Sequence, residues 1–406
     1  MRRDPVSEPL WPDTLFDPCI KCTICTTVCP VVKVTGEFPG PKQAGPDAQR
    51  FRGRGETVEG PWINLCTGCY RCQIACPADV PIAEINLFAK QRYARERGRD
   101  VATHLLTHAH LVALWSHRLR WLARPMLRMG WSRRLAEMIF GIDRQAPMPP
   151  IARRRFSSLA REYRPKPGRR KVAYFHGCYT DNNEPAIGQA VLAVLEAAGI
   201  ETLIPDQACC GAALFGAGNF AAARRQNERN ISSFRAAIKL GCEAIVVGSP
   251  SCALALSHEL GDVLGMEDAD VYERVIDLFT YLERLDAAGQ LSLNLRETPI
   301  TAAYHEACHL TALGRGANAP RLLNKIPGLR VRMLDAGCCG LAGTFGLKHK
   351  TANLARAIGQ GPARLIGEWR PEWVLSECEG CRMQLSHLTG VPARHPIEIL
   401  AQALIK

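Results

Sequence analysis

The chain has 406 residues, enough for two or three domains, and 18 of them are cysteines. A large cysteine-rich chain without a secretory signal is not a disulfide scaffold, so we expect thiolates that hold metal in a reducing compartment. Arg2 and Arg3 precede no apolar stretch, and no run reaches the roughly 18–20 apolar residues of a membrane span. We therefore predict no signal peptide, no transmembrane helix, and a location in the cytoplasm or on the cytoplasmic face of a membrane.

Residues 1–100 contain two copies of the pattern C-x2-C-x2-C-x3-C-P. The first copy is Cys19, Cys22, Cys25 and Cys29, and the second is Cys66, Cys69, Cys72 and Cys76. Bacterial-type ferredoxins hold [4Fe–4S] clusters with this run, and the fourth cysteine binds the other cluster. We assign Cys19, Cys22, Cys25 and Cys76 to cluster 1, and Cys66, Cys69, Cys72 and Cys29 to cluster 2. Structural zinc is the alternative, although zinc usually uses two C-x2-C pairs.

The segment after the second run predicts a helix. Apolar residues recur with helical spacing at Ile82, Ile85, Leu87 and Phe88, and basic residues follow them. The 36 residues between Cys29 and Cys66 exceed the separation in compact two-cluster ferredoxins. We predict a helical ferredoxin domain, which resembles in layout the iron–sulfur subunit of succinate dehydrogenase.

Residues 101–170 form a basic connector. From Arg118 to Arg170, fifteen basic residues stand against three acidic ones, a net charge of +12 that equals the formal charge of the whole chain. Arginines alternate with bulky apolar residues, which are Leu111, Leu114, Trp115, Leu119, Trp121, Leu122, Met126, Leu127 and Trp131.

Since Pro125 interrupts the connector, we predict a pair of basic amphipathic helices against a membrane surface or membrane partner. Packing on the chain's own core is the alternative. No nucleic-acid-binding motif accompanies the charge, so no nucleic-acid partner is expected. The four histidines of the segment, His104, His108, His110 and His117, fit surface or core positions better than haem ligation.

Residues 171–406 contain an internal repeat. Cys178, the pair Cys209-Cys210 and Cys252 recur as Cys308, the pair Cys338-Cys339 and Cys381, at offsets of 130, 129 and 129 residues. We call residues 171–290 repeat one and residues 291–406 repeat two. Strand-like and helix-like runs alternate in each copy, which predicts two α/β units with the cysteines at strand ends.

Adjacent cysteines before a glycine suit a metal site. Neighbouring thiolates repel each other unless a metal or a proton intervenes, and a vicinal disulfide is strained. We expect Gly211 and Gly340 to allow a close backbone approach and to start a helix whose amides favour the anionic sulfurs. Buried free thiols are the alternative, and this is our prediction for Cys242, which lies outside the repeat.

The spacing of the repeat resembles the CCG domain of heterodisulfide reductases and of their relatives, which include the iron–sulfur subunits of glycolate oxidase. The resemblance implies a noncubane [4Fe–4S] cluster held by five cysteines. In repeat two these are Cys308, Cys338, Cys339, Cys378 and Cys381. Repeat one supplies only Cys178, Cys209, Cys210 and Cys252, with Ser249 where repeat two has Cys378, so its cluster stays open.

Two further segments, FPGPKQAGPD at 38–47 and HPIEILAQAL at 395–404, resemble the C subunits of anaerobic glycerol-3-phosphate dehydrogenases. That resemblance implies a non-catalytic subunit of anaerobic respiration. It would pass electrons from a flavoprotein dehydrogenase subunit and a second flavin subunit to membrane quinone, and it would anchor them. The whole chain is then a multidomain α+β protein, with a helical two-[4Fe–4S] ferredoxin domain followed by a duplicated α/β CCG domain.

No flavin or NAD is expected on this chain. Its nearest glycine fingerprint, GRGANA at 314–319, follows no clear strand. Three alternatives remain. One is a disulfide reductase that uses a noncubane cluster in repeat two. Another is the iron–sulfur subunit of a glycolate or lactate oxidase. A third is a redox-sensing regulator, for which no DNA-binding element is recognisable.

Overall fold

The computed structural model describes residues 18–108, 129–316 and 318–405, together with 112, 117–119, 121 and 125. A helical N-terminal part is followed by two α/β units with parallel sheets. The predicted multidomain α+β class is therefore confirmed. The boundaries expected at residues 100, 170 and 290 stay predictions.

The N-terminal part is helical. Its elements are α1 (Ile24–Thr27), a π-helical turn (Gln43–Asp47) that runs into α2 (Ala48–Arg52), a 3-10 turn (Pro61–Leu65), α3 (Arg71–Ile74) and α4 (Ile82–Arg97). In α4 the side chains of Ile82, Ile85 and Leu87 are buried, as their helical spacing predicts.

The connector contributes three described helices: α5 (Val101–Thr107), α6 (Gly130–Phe140) and α7 (Phe156–Ala160). Asp100 caps α5, because its side chain accepts a hydrogen bond from the backbone N–H of Thr103. Most of the predicted amphipathic pair, namely His110, Leu111, Leu114, Trp115, Leu122, Met126 and Leu127, lies outside the described residues.

Repeat one contains a four-stranded parallel sheet in the order β2-β1-β3-β4. The strands are β1 (Arg170–Phe175), β2 (Ile200–Leu203), β3 (Ala244–Val247) and β4 (Val275–Asp277). The helices are α8 (Gly177–Asn182), α9 (Pro185–Ala197), α10 (Ala212–Gly216), α11 (Phe220–Lys239), α12 (Pro250–Leu254), α13 (Leu260–Asp262), α14 (Ala269–Tyr272) and α15 (Leu278–Ala287), with a π-helical turn (Ala255–Glu259) between α12 and α13.

Repeat two contains a second parallel sheet with the equivalent order, β6-β5-β7-β8. The strands are β5 (Thr301–Tyr304), β6 (Arg330–Met333), β7 (Trp373–Leu375) and β8 (Ala393–Arg394). The helices are α16 (Cys308–Ala312), α17 (Asn318–Leu323), α18 (His349–Ile358), α19 (Gln360–Trp369), α20 (Glu379–Thr389) and α21 (Pro396–Ala403), with a 3-10 turn (Phe345–Leu347) before α18.

The two repeats pack against each other through equivalent helices. Helix α9 lies on α21, and α15 lies on α17. One apolar core crosses this interface and includes Tyr174, Phe279, Tyr304 and Ile397, all fully buried. Because the cysteines follow the strands, this packing brings the strand ends of both sheets, with their thiols, towards the ferredoxin part. In the described part of the chain, no helix is long and apolar enough to cross a membrane.

Candidate metal centres

The two ferredoxin loops have the same backbone conformation. In the first loop Lys21 and Thr23 have φ of 59° and 64°, and in the second loop Gly68 and Tyr70 have φ of 63° and 61°. These are the second and fourth residues after the first cysteine of each run. Left-handed φ is costly for a β-branched residue such as Thr23, and such strain is typical of functional sites. The repeated geometry turns three cysteines of each loop towards one point.

The first cavity is lined by four sulfur-bearing residues, which are Cys19, Cys22, Cys25 and Cys76. Three come from the first loop and the fourth comes from the second run. Burial raises the pKa of the Cys25 thiol, and the charges of Cys19, Cys22 and Cys76 add to this. The structure therefore brings together the four cysteines that the sequence assigns to cluster 1.

The second cavity is lined by Cys29, Cys66, Cys69 and Cys72, the set assigned to cluster 2. Burial raises the pKa of the Cys29 thiol to about 12, so a cation is needed to keep its sulfur ionised. The ammonium of Lys90 lies behind this cavity and donates hydrogen bonds to the carbonyls of Cys66, at 2.5 Å, and Gly216, at 3.0 Å. Each cavity is lined by four thiols, which fits a [4Fe–4S] cube.

The two cavities are neighbours. Burial and the charges of Cys69, Cys66, Cys29 and Cys25 together raise the pKa of the Cys72 thiol. Three of those thiols share the second cavity with Cys72, and Cys25 belongs to the first. The contact between α1 and α3 holds the two cysteine sets side by side.

In repeat two, five cysteines converge at the ends of three strands. Cys308 follows β5, the pair Cys338-Cys339 follows β6, and Cys378 and Cys381 follow β7. The nearby Cys338, Cys381 and His305 side chains lower the pKa of the Cys339 thiol, whereas the nearby Cys339 and Cys378 thiols, together with burial, raise the pKa of the Cys381 thiol. A ring nitrogen of His305 and the sulfurs of Cys339 and Cys381 lie within 4.8 Å of one another.

The repeat-two cysteines lie next to the second ferredoxin cavity. Burial and then the charge of Cys69 raise the pKa of the Cys308 thiol. His309 fixes this contact, because its Nε2 lies 3.3 Å from the carbonyl oxygen of Gly68 and its Nδ1 lies 3.0 Å from Oγ of Ser251. The three cysteine sets are therefore arranged in series, with the second ferredoxin set in the middle.

Repeat one brings its four cysteines together as well. The sulfurs of Cys178 and Cys209 are 3.6 Å apart, and those of Cys210 and Cys252 are 3.1 Å apart. Where repeat two has Cys378, repeat one has Ser249, and Oγ of Ser249 donates a hydrogen bond of 2.9 Å to Oε2 of Glu379. A side chain of repeat two thus occupies the position next to the missing cysteine.

The two glycines after the cysteine pairs differ in their surroundings. Gly211 begins α10, as predicted. Gly340 begins no helix, because the next helical turn in the described chain is Phe345–Leu347, so that part of the prediction is wrong. Gly340 has φ of +89°, and a Cβ there would meet the carbonyl oxygen of Ala355 at 2.0 Å. Close packing on α18 therefore explains the glycine.

Sequence patterns missed a buried polar cluster between the ferredoxin part and repeat one. The hydroxyl of Tyr70 donates to Oε1 of Glu259 at 3.2 Å, and Nε2 of His258 lies 2.9 Å from Oε1 of Glu84. Glu84 and Glu259 are 1% and 6% exposed. In the sequence, this cluster is marked only by Glu84, an acidic residue within an otherwise apolar helix face. The partner of Glu84, His258, is 174 residues away in the chain.

The remaining candidates lie apart from these sets. Cys242 is buried, as predicted, and burial raises its pKa to about 11. His104 and His108 contact each other one helical turn apart at the end of α5, with ring centroids 4.7 Å apart and ring planes tilted by 40°. His117 is half-buried, and His110 lies outside the described residues.

Comparison with known proteins identifies the same parts. Residues 16–80 match the family model described as a 4Fe-4S dicluster domain, and residues 172–257 and 302–386 each match the cysteine-rich domain CCG. The chain is 33% identical over 398 residues to the C subunit of the anaerobic glycerol-3-phosphate dehydrogenase of Escherichia coli K12, covering 97% of this chain and 99% of that protein.

Two other relatives are more distant. Over 426 residues the chain is 26% identical to the glycolate oxidase iron-sulfur subunit of Escherichia coli K12, covering 97% of this chain and 95% of that protein. It is also 28% identical over 381 residues to the B subunit of the fumarate reductase (CoM/CoB) of Methanothermobacter marburgensis, covering 90% of this chain and 67% of that protein.

Proposed function

Since the chain belongs to the family of anaerobic glycerol-3-phosphate dehydrogenase C subunits, we propose that it carries electrons from a flavoprotein dehydrogenase to membrane quinone. The partner oxidises sn-glycerol-3-phosphate, and the complex also includes a second flavin subunit. The observation that carries the proposal is the serial arrangement of three cysteine sets, in which Cys72 lies beside Cys25 and Cys69 lies beside Cys308.

The cofactors are two [4Fe–4S] cubes in the ferredoxin cavities and one noncubane [4Fe–4S] cluster in repeat two. When bound, these groups supply one-electron carriers. Repeat one, with Ser249 in the fifth ligand position, is left without a cluster in this proposal. No flavin or NAD belongs to this chain.

The protein's own residues prepare the sites for anionic cofactors. The left-handed backbone at Thr23 and Tyr70 fixes the loops before a cofactor binds. Burial excludes water from Cys29 and Cys72, which are 7% and 8% exposed. Lys90 is buried next to Cys66, and its positive charge offsets part of the negative charge that a loaded site carries.

The exposed end of the series lies at the first ferredoxin loop. Cys22 is exposed at the rim of the first cavity, and Ile20 beside it is 67% exposed. A flavin-bearing partner that docks on this loop comes close to the first cavity without any rearrangement of the chain. We place the entry of electrons here.

The other end of the series is repeat two, which contacts α6, a helix whose apolar side chains are exposed. In α6 the side chains of Trp131, Leu135, Met138 and Ile139 form one stripe, and they are 61%, 40%, 78% and 55% exposed. The opposite face lies against repeat two, because Glu137 contacts His349 and Ser132 is buried. An apolar stripe that faces outwards needs another surface to cover it.

We assign that surface to an anionic bilayer. Arg134 is exposed beside the stripe, and Trp121 of the same connector is 74% exposed. Exposed tryptophan together with basic residues is typical of helices that lie in the membrane interface. Repeat two, which contacts α6 through His349, then faces the membrane, and electrons leave from repeat two towards quinone.

The alternatives receive less support. A disulfide reductase needs an open path to Cys338 and Cys339, but Cys339 is only 5% exposed. A glycolate or lactate oxidase subunit would use the same relay with another flavoprotein, so the substrate test below separates it.

The test uses the complete complex with its flavoprotein partner. We expect sn-glycerol-3-phosphate to reduce the iron–sulfur signals of this chain, seen by EPR, and glycolate and lactate to leave them oxidised. Reduction by glycolate or lactate instead would replace the assigned substrate, and no reduction by any of the three would refute the relay.

A further inference from the structure

The histidine next to the repeat-two cysteines is held by the sheet. His305 directly follows β5, and its backbone N–H donates a 2.8 Å hydrogen bond to the carbonyl of Leu375 in β7. This bond fixes the start of the loop that carries Cys308. The side chain is 2% exposed, so the imidazole is shielded from water.

The ring faces sulfur. One of its nitrogens lies within 4.8 Å of both Sγ of Cys339 and Sγ of Cys381. Within the described part of the chain, Nδ1 of His305 is buried and has no hydrogen-bond partner. A buried ring nitrogen without a partner is unfavourable, so a hydrogen-bond partner for the ring is expected here. The sulfurs of Cys339 and Cys381 lie near the ring and can accept its N–H.

Repeat one provides an internal comparison. His176 lies at the corresponding strand end, 129 residues earlier in the chain, and is half-buried. However, Nδ1 of His176 lies 2.9 Å from the carbonyl oxygen of Gly177, and Oε1 of Gln207 accepts from the N–H groups of both residues. The first repeat thus uses its histidine to hold backbone, whereas in the second repeat the histidine lies beside the sulfurs of Cys339 and Cys381.

We propose that His305 is a positioning residue that donates a hydrogen bond to the sulfur of Cys339 and so sets the reduction potential of the repeat-two cluster. This rests on the proposed cluster in repeat two. A hydrogen bond to a ligating sulfur stabilises the reduced, more negative form, so it raises the potential. His305 thereby makes repeat two a better electron acceptor for the ferredoxin part.

The test is an EPR-monitored redox titration of the full chain, purified anaerobically. The variants are His305→Phe, which fills the space without a donor, and His305→Gln, which retains one. We expect His305→Phe to lower the midpoint potential of the repeat-two signal and His305→Gln to restore much of the shift. The potentials of the two ferredoxin signals, and the iron content, are expected to stay unchanged.

His176→Phe serves as the matched control and is expected to leave the repeat-two potential unchanged. An unshifted potential in His305→Phe with full iron content would overturn the proposal. Loss of about four iron atoms in both His305 variants would also overturn it, because the histidine would then be a ligand rather than a hydrogen-bond donor. A wild-type chain without a repeat-two signal would instead refute the proposed cluster and, with it, this role for His305.

Discussion

Oγ of Ser249 donates a hydrogen bond of 2.9 Å to Oε2 of Glu379, and this bond joins the two repeats at their cysteine sets. Ser249 takes the place that Cys378 has in repeat two, and Glu379 lies between Cys378 and Cys381. The duplicated units have therefore diverged at one cysteine position, where repeat one instead makes a contact with the other repeat.

The first prediction concerns Ser249→Cys. Because the four repeat-one cysteines already converge, with sulfur pairs at 3.6 Å and 3.1 Å, a fifth thiol should complete a cluster site. We expect the iron content to rise by about four atoms per chain, with matching sulfide. The control Ser249→Ala removes the same hydrogen bond without adding a ligand and should leave iron unchanged. Unchanged iron in a folded Ser249→Cys chain would contradict the prediction.

The second prediction concerns Cys72→Ser in the complete complex. Cys72 lines the middle cavity, and in the proposed function it is a cluster ligand, so its loss should remove about four iron atoms and interrupt the series. Reduction of the partner's flavin by substrate should continue, whereas reduction of quinone should stop; stopped-flow absorbance and a quinone assay measure the two steps. Cys242→Ser, at a buried thiol outside the cysteine sets, is the control. A normal quinone rate in Cys72→Ser would refute the serial order.

The third prediction concerns the membrane face. Trp131 and Met138 are 61% and 78% exposed, so replacing both with serine should leave the fold intact. Burial of such side chains contributes about 1.5–3 kcal/mol each. We therefore expect binding to anionic liposomes to weaken at least about tenfold in a flotation assay. Leu240, which is 65% exposed just after α11, offers the control Leu240→Ser. Equal binding by both variants would exclude α6 as the membrane contact.

The fourth prediction concerns pH. Burial raises the pKa of Glu259 to about 8, opposed by the hydrogen bond from Tyr70 and the charge of His258. The folded state thus holds a proton on Glu259 that the unfolded state releases near pH 4.5. The contribution of Glu259 to the free energy of unfolding therefore falls as pH rises above 4.5, and it stops changing above about pH 8.

Hydrogen bonds with Asp262 and Glu84 raise the pKa of His258 to about 10. Protonated His258 therefore adds a second contribution to stability, which is lost as pH rises from roughly 6.5 to 10. Glu259→Gln should remove the pH dependence that comes from Glu259. The apparent melting temperature of this variant should therefore decline less than that of the wild type between about pH 6 and pH 8. Glu267→Gln, at an exposed carboxylate, should behave like the wild type. Parallel wild-type and Glu259→Gln profiles would contradict the assignment.

Local spacing predicted much of the fold and of the site. The two four-cysteine runs specified loops whose backbones proved equivalent, and the offset of 129–130 residues specified two sheets with the same strand order. Ligand patterns are local in sequence, and strand-end positions follow from the alternation of strands and helices, so both are readable from the chain.

Contacts across domains could not be predicted in this way. Cys69 next to Cys308, Ser249 bonded to Glu379, and Glu84 paired with His258 each join residues more than 120 positions apart. Their sequence neighbourhoods carry no signal of the partner. Likewise, the sequence predicted amphipathic helices in the connector, but only tertiary packing determines that the apolar stripe of α6 faces outwards. His305, three residues before Cys308, was visible in the sequence but had no pattern to mark it as a sulfur contact.

The central claim is that three cysteine sets of this chain hold clusters in series. Its most direct test is to purify the whole chain anaerobically, measure iron and acid-labile sulfide, and record EPR spectra of the reduced and oxidised forms. We predict about twelve iron atoms per chain and a third signal that disappears in Cys339→Ser. About eight iron atoms, with ferredoxin-type signals only, would contradict the account and leave repeat two without a cluster of its own.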